Sequence, residues 1–266
     1  MFKDIIIGQY IPGKTLIHRL DPRLKLILTF VYIICLFMAN TPWGYLAVTA
    51  LTLIMTLGCR VPIKFILKGL RPMLVILIFT AVFNVFLVPG EQLIGFQIGW
   101  LSLGITKEGL VAAGVMMLRL LYLVTGTSVL TLTTTPLQLT AAIESLLSPL
   151  DRFKVPSHEI AMMMSIALRF IPTLADETEK IMKAQTARGA DFESGNLIRR
   201  AKALIPLLVP LFVSAFRRAD ELAVAMEARC YNSGHKRTRM KQMRVSRTDV
   251  VTAVIYTAVC AGIALL

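Results

Sequence analysis

Two short motifs in the second half of the chain place an arginine between two small residues. They comprise Ala187, Arg188, Gly189, Ala228, Arg229 and Cys230. A guanidinium group presents a planar set of N–H donors that matches a carboxylate, and small neighbours let a partner's groove close around it. The motifs therefore predict two docking sites for partner proteins. The alternative is that each arginine only ends a helix, where a cation complements the helix dipole.

Other residues that could do chemistry are sparse. The histidines and cysteines are scattered singly at His18, His158, His235, Cys35, Cys59, Cys230 and Cys260. The sequence contains no CxxC pair and no HExxH or GxSxG motif, so it predicts no metal site and no activated nucleophile. Residues 8–15, GQYIPGKT, match the letters of the GxxxxGK[ST] phosphate-binding loop, but that loop joins a strand of a parallel sheet to a helix, and no such sheet is predicted here. We expect a protein that is not an enzyme and binds no cofactor or metal. For His18 we expect a structural role in the turn before the first apolar segment.

The composition indicates a membrane protein. The chain has 266 residues, of which 56% are hydrophobic and 17% charged, and its mean hydropathy is +0.68. Lys and Arg number 29 against 16 Asp and Glu, a formal net charge of +13. In so apolar a chain, this excess is typical of basic cytoplasmic loops beside a lipid bilayer. Because no stretch interleaves aromatic and basic residues, we expect no nucleic-acid partner.

Five apolar runs predict an all-α polytopic membrane protein with about five transmembrane helices. The runs cover residues 24–39, 43–58, 72–88, 109–132 and 250–266. Most are about 16–17 residues long, which is short for a hydrocarbon core of about 30 Å, so flanking residues would have to complete them. Residues 89–107 are rich in glycine and predict a re-entrant or interfacial loop or a short hairpin.

The charge distribution divides the chain into three parts. Residues 1–136 would hold four transmembrane helices, residues 137–248 a cytoplasmic region of long helices, and residues 249–266 a last transmembrane helix. Basic residues concentrate in residues 60–71 and 137–248, which we therefore place in the cytoplasm. The N-terminus would then be inside, whereas residues 89–107 and the C-terminus would be outside.

Two long helices are predicted in the cytoplasmic region, over residues 157–188 and 196–229. Each has an apolar first half and a charged, amphipathic second half, so one end should touch the membrane or a membrane partner. Each also carries an Ala-Asp-Glu sequence before its arginine motif. The prolines of these segments should kink the helices or break them into pieces; they are Pro172, Pro206 and Pro210.

The apolar halves of these helices offer a methionine-rich surface for a membrane partner. Its candidate residues are Met162, Met163, Met164, Phe170, Leu204, Leu208 and Phe212. Methionine is flexible and adapts to several shapes, which suits a surface that accepts different partners. The alternative is that these side chains pack within the chain itself.

The N-terminal sequence resembles that of a known family. Residues 10–26 read YIPGKTLIHRLDPRLKL and resemble the signature of the transmembrane T component of energy-coupling factor (ECF) vitamin transporters. The matching positions include Pro12, Gly13, His18, Asp21, Pro22, Arg23 and Lys25. The segment LRFIP at residues 168–172 and the two arginine motifs are also similar to that family, and the resemblance covers essentially the whole chain.

This resemblance implies a non-catalytic scaffold in the plasma membrane of a prokaryote. A T component joins two cytoplasmic ATP-binding cassette (ABC) ATPase subunits, which bind the ATP, to one membrane S component that binds a vitamin or metal ion. By this resemblance the arginine motifs are the ATPase contacts, and we expect the methionine-rich surface to meet the S component. Cys230 stands where the first motif has Gly189, and the two motifs could therefore prefer different ATPase subunits.

Two other functions compete with this interpretation. A secondary transporter would carry its own substrate and would show inverted membrane repeats with polar groups at the midplane. An intramembrane enzyme would need clustered His, Asp or Glu within its spans, where acidic residues are almost absent. Arg119, inside the fourth apolar run, is the residue best suited to a transport pathway. We instead expect it to pair with a polar group or to reach an interface.

Overall fold

The computed structural model describes residues 10–60, 62, 69–89, 91–98, 101–153, 156–192, 196–231, 243 and 245–265. Residues 8–142 and 243–266 form one compact unit, the membrane unit, and residues 143–242 belong to a second, the long-helix unit. Most of the expected basic stretch, residues 61 and 63–68, and His235 lie outside the described residues.

The described part of the membrane unit consists of helices and one hairpin. Its elements are α1 (Leu16–Arg19), α2 (Pro22–Met38), α3 (Pro42–Cys59), a 3-10 turn (Arg71–Met73), α4 (Leu74–Leu87), β1 (Gln92–Ile98), β2 (Leu101–Thr106), α5 (Lys107–Thr133), the start of α6 (Pro136–Leu147) and α9 (Arg247–Leu265). The long-helix unit contains the end of α6, a 3-10 turn (Ser148–Phe153), α7 (Ser157–Ala187) and α8 (Leu197–Ala228). The expected helical membrane fold is confirmed.

Three helices are long and apolar enough to cross a membrane by length and composition. They are α3, α5 and α9, and a shorter apolar helix covers Arg71–Phe86. The helix α2 has 17 residues, or about 25 Å at 1.5 Å per residue. All five expected apolar runs are therefore helical, but among the described residues three rather than five meet the length of a full span.

The helices of the membrane unit begin where the sequence supplies a cap. Pro22 opens α2 with a preset backbone angle, and the carboxylate of Asp21 accepts a hydrogen bond from the backbone N–H of Arg23 at 2.9 Å. The hydroxyl of Thr41 accepts likewise from the N–H of Gly44 at 3.1 Å at the start of α3. These caps satisfy N–H groups that have no partner within the helix.

The core of the membrane unit centres on Tyr32 of α2. This residue is 1% exposed, and its ring lies against Gly126 of α5, where a Cβ atom would collide with the ring. Its hydroxyl lies 2.7 Å from that of Thr52 on α3 and donates to the carbonyl of Tyr122 at 3.1 Å. One buried tyrosine therefore joins three helices through both its ring and its hydroxyl.

A β-hairpin connects α4 to α5. Its strands pair antiparallel, and the hydroxyl of Thr106 donates to the carbonyl of Val88 at 2.8 Å. The N–H of Glu91 donates to the carboxylate of Glu108 at 2.8 Å, while the N–H of Lys107 donates to the carbonyl of Glu91. Of the structures expected between α4 and α5, the hairpin is confirmed by these two strands, and the bonds fasten it to the start of α5.

The long helices have nearly the bounds that the sequence predicts. Of the two effects expected of their prolines, a break is wrong, whereas a kink stays a prediction. Pro172 lies inside α7, and Pro206 and Pro210 lie inside α8, and both helices continue through them. Each proline removes one N–H donor, a loss of one backbone bond in helices of 31 and 32 residues. The remaining bonds on both sides maintain the helix, as in apolar helices that carry proline.

Candidate functional site

The first arginine motif is the end of α7. Arg188 occupies the C-cap, and Gly189 follows with a φ of +89°. The N–H of Gly189 donates to the carbonyl of Thr186 at 2.9 Å, and that of Ala190 donates to the carbonyl of Gln185 at 3.0 Å. These two bonds form a Schellman ending, which satisfies carbonyls that the helix leaves free.

The second motif repeats this ending on α8. Arg229 is the C-cap, and Cys230 follows with a φ of +54°. The N–H of Cys230 donates to the carbonyl of Glu227 at 2.8 Å, and that of Tyr231 donates to the carbonyl of Met226 at 2.9 Å. The bonds span the same intervals as those at the end of α7.

The matched endings present the two arginines alike. Arg188 and Arg229 hold equivalent places relative to their helix ends, and all six motif residues are exposed. The helix-end interpretation is therefore confirmed for the backbone. It leaves both guanidinium groups accessible, so docking to a partner stays a prediction that the geometry permits.

An ion pair links the charged halves of the two long helices. Nη2 of Arg218 on α8 lies 2.7 Å from Oε2 of Glu177 on α7, with 31% and 24% of the two side chains exposed. Glu177 belongs to the Ala-Asp-Glu sequence that both helices share. The sequence analysis missed this pairing, because nothing in the sequence links two residues 41 positions apart.

Part of the methionine-rich surface is exposed and part is half-buried. Met163, Met164, Leu204, Leu208 and Phe212 are exposed, between 42% and 62% of each residue. Met162 and Phe170 are half-buried, and Phe170 lines a small cavity between α7 and α8. Five of the seven residues are thus available to a partner, and Phe170 contributes to packing within the chain.

The N-terminal motif joins the beginning of the chain to the end of α5. The N–H of Ile11 donates to the carbonyl of Leu132 at 3.0 Å. The ammonium group of Lys25, on a residue that is 6% exposed, donates to the carbonyls of Thr133 and His18 at 2.9 and 3.1 Å. A buried cation therefore has polar partners on both segments, as a buried charge requires.

His18 holds the turn of this motif. Its Nε2 lies 3.1 Å from the carbonyl of Ile11 and its Nδ1 2.6 Å from the hydroxyl of Thr15. A carbonyl only accepts, so Nε2 carries the proton and Nδ1 accepts from Thr15 in the neutral ring. Burial lowers the pKa of His18 and the charge of Lys25 lowers it further, against the hydrogen bond to Ile11, which raises it. The structural role expected for His18 is what this geometry provides.

The remaining motif residues shape the same turn. A Cβ atom on Gly13 would lie 2.6 Å from the His18 ring, so the close approach needs glycine at this position. Pro12 precedes this glycine, and Asp21, Pro22 and Arg23 start α2 through the cap already described. The motif is thus a compact structural element of the membrane unit.

Arg119 is engaged within the membrane unit. Its Nη2 donates to the hydroxyl of Tyr45 at 2.7 Å and to the carbonyl of Ala39 at 3.3 Å. Its guanidinium carbon lies 5.4 Å and 5.9 Å from the ring centroids of Phe37 and Tyr45. The expected pairing with a polar group is confirmed, and the cation joins α5 to the end of α2, the turn after it and the start of α3.

No group of three or more His, Cys, Asp or Glu side chains in the described residues is arranged to hold a metal ion.

Comparison with known proteins gives a consistent family. The profile of the family described as CbiQ, cobalt transport protein, matches residues 13–240. The energy-coupling factor transporter transmembrane protein EcfT of Ruminiclostridium cellulolyticum is 57% identical over 251 residues, covering 94% of this chain and 92% of that protein. The proteins of the same name from Clostridium kluyveri and Bacillus subtilis are 55% and 50% identical, covering 95% and 91% of this chain and 93% and 91% of those proteins. This chain therefore belongs to the family of energy-coupling factor transporter transmembrane proteins.

Proposed function

We propose that this chain is the energy-coupling scaffold of an ECF importer. It joins two ABC ATPase subunits to one membrane S component and so drives the uptake of a vitamin or metal ion. The ATP is bound and hydrolysed by the partner subunits. The observation that carries the proposal is the pair of matched Schellman endings that present Arg188 and Arg229 to solvent.

Each arginine docks into a groove of one ATPase subunit. The guanidinium group forms charge-assisted hydrogen bonds with acidic groups there, and the small residues on either side let the groove approach the backbone. We call the two motifs the arginine tips: residues 187–189 at the end of α7 and residues 228–230 at the end of α8. Cys230 takes the place of Gly189 at the second tip, which gives the two ATPase subunits slightly different surfaces to recognise.

The long helices carry the motion of the ATPases toward the membrane. They have 31 and 32 residues, so each is about 47 Å long at 1.5 Å per residue. The ion pair between Arg218 and Glu177 couples them near their charged halves. When an ATPase subunit displaces one arginine tip, both long helices therefore move.

The exposed part of the methionine-rich surface receives the S component. Met163, Leu204, Leu208 and Phe212 are apolar side chains that the chain itself leaves uncovered. Replacing Met163 and Leu208 by Asp should release the S component while the ATPases stay bound. Loss of both kinds of partner together would mean that the change had unfolded the chain.

The proposed function requires the long helices and the N-terminus in the cytoplasm and the hairpin outside. In a variant without native cysteines, a Cys at Glu91 should react with an impermeant thiol reagent in intact cells, whereas a Cys at Lys183 should not. Both positions are exposed. The opposite labelling pattern would reject this orientation.

The decisive experiment removes the arginines. Losing one partner of a buried charge pair costs about 2–5 kcal/mol, so one changed tip should weaken assembly about 30-fold or more. The other tip still tethers the complex. Arg188→Glu or Arg229→Glu alone should impair uptake and leave some complex, and the double variant should lose both. Lys should substitute poorly because it lacks the planar fork.

The matched control places the same charge change elsewhere on the same helices. Lys180 and Arg217 are exposed, and the double variant Lys180→Glu, Arg217→Glu should co-purify with both ATPase subunits and retain most of the uptake. A double tip variant that inserts normally, keeps both ATPases and transports at the original rate would show that the arginines are helix ends only.

A further inference from the structure

A cavity of about 850 Å³ lies in the membrane unit beneath the N-terminal motif. It is bounded by the N-terminal segment and by one end of each of four helices: the start of α2, the end of α3, the end of α5 and the start of α9. Neither the arginine tips nor the methionine-rich surface contributes to it. The proposed coupling role therefore gives this cavity no function.

The described residues that line the cavity include basic side chains and no Asp or Glu. The basic ones are Lys14, Lys25 and Arg60, together with the neutral imidazole of His18. Lys14 and Arg60 are exposed, so their ammonium and guanidinium groups can turn toward a ligand. The ammonium group of Lys25 donates to the carbonyls of Thr133 and His18, which uses two of its three N–H donors.

The other walls of the cavity are apolar and belong to membrane helices. Leu51, Ile54 and Met55 of α3 and Val129 of α5 line it together with Tyr256 of α9. Ile54 is 67% exposed on a helix that is long and apolar enough to cross a membrane. The cavity therefore extends from a basic end at the helix termini along the surface that faces the hydrocarbon.

A cavity with basic residues at one end and apolar walls fits an amphiphile with an anionic head group. A free anion would leave the apolar walls unused, and a neutral lipid would offer no counter-charge to Lys14 and Arg60. Basic pockets between membrane helices are known to bind phosphorylated lipid head groups. The acyl chain contributes to binding by burying apolar surface against these walls.

We propose that this cavity binds one anionic glycerophospholipid, with its phosphate at Lys14, Lys25 and Arg60 and an acyl chain along Leu51, Ile54 and Met55. The bound lipid would fasten the N-terminal motif to the ends of α3 and α5. This role goes beyond energy coupling and does not depend on which ATPase or S component is bound.

The test measures lipid binding to the full chain in detergent. Phosphatidylglycerol is titrated and its affinity is read from native mass spectrometry and from the rise in the thermal unfolding midpoint, since a ligand of the folded state stabilises it. Phosphatidylcholine, inorganic phosphate and glycerol phosphate are titrated in parallel. Only phosphatidylglycerol should bind tightly and raise the midpoint.

A pair of variants with equal charge separates the cavity from general attraction to a basic surface. Lys14→Gln with Arg60→Gln removes two lining cations. Arg19→Gln with Arg71→Gln removes two exposed cations that do not line the cavity. The first pair should weaken phosphatidylglycerol binding about tenfold or more, and the second should change it less than about threefold.

Four outcomes would overturn the proposal. Equal binding of phosphatidylcholine would show that the basic end recognises no charge. Equal stabilisation by inorganic phosphate or glycerol phosphate would indicate a free-anion site. Equal losses in the two variant pairs, or no binding of phosphatidylglycerol at all, would show that the lipid does not occupy this cavity.

Discussion

Gly189 and Cys230 occupy the same position in two helix endings whose backbone hydrogen bonds correspond one to one. Both have positive φ, +89° and +54°. Glycine adopts such angles freely, whereas a residue with a Cβ atom pays about 1–2 kcal/mol for the left-handed conformation. The two tips therefore share a shape and differ in how strongly their sequence favours it.

This relationship predicts opposite effects of two substitutions on the tips. Cys230→Gly should relieve the strain of the second ending and slow hydrogen exchange at the amide of Tyr231, which donates to Met226. Gly189→Ala should introduce strain and speed exchange at the amide of Ala190. Each substitution should change the exchange rate of its amide by about fivefold or more. Cys230→Ser keeps the Cβ atom and serves as the control, with exchange expected to stay near that of the original chain.

The ion pair between α7 and α8 should give a measurable coupling energy. Because Arg218 and Glu177 are both less than one-third exposed, a double-mutant cycle with Arg218→Ala and Glu177→Ala should yield about 0.5–1 kcal/mol. Lys183 and Glu179, a pair within α7 whose lysine is 74% exposed, should yield about 0.3–0.5 kcal/mol. A coupling energy near zero for the inter-helix pair would mean that it does not join the helices.

Local features were predictable from the sequence where the determinants are close in the chain. The bounds of α7 and α8 follow from apolar periodicity and from the small residues that end them. The partners of Arg119 were not predictable, because Tyr45 is 74 positions away and only helix packing brings the two together. The docking and partner residues remain predictions, since their chemistry is completed by other proteins.

Because Gly126 of α5 contacts Tyr32, its replacement by alanine should destabilise the chain. The same replacement at Gly114, also in α5, should not. A Cβ atom at Gly126 would collide with the Tyr32 ring, whereas one at Gly114 would meet nothing within 4 Å. Gly126→Ala should lower the free energy of unfolding by about 1–3 kcal/mol through overpacking. Gly114→Ala should raise it by up to about 1 kcal/mol, because alanine favours the helix.

The measurement is the thermal unfolding midpoint of each variant in detergent. The two variants make the same Gly→Ala change within the same helix. A Gly126→Ala variant as stable as the Gly114→Ala variant would mean that the tyrosine ring can move away at no cost. The packing of α2 on α5 would then be looser than the structure shows.

His18 should make the stability of the membrane unit depend on pH. Its folded-state pKa lies below the usual value of 6.5 because burial and the nearby charge of Lys25 disfavour the imidazolium ion. Between the two pKa values the unfolded chain binds more protons than the folded chain, so stability falls as the pH decreases through 6.5. Protonation of Nδ1 also ends its acceptance of the Thr15 hydroxyl.

The measurement is the unfolding midpoint between pH 7.5 and 5.5 for the original chain and for His18→Gln, which cannot titrate. Every other titratable group is present in both proteins, so its contribution cancels in their difference. We expect the original chain to lose its advantage over His18→Gln as the pH falls. An advantage that instead grows toward pH 5.5 would mean that the folded chain prefers the imidazolium ion, and the neutral-ring hydrogen bonds assigned to Ile11 and Thr15 would be wrong.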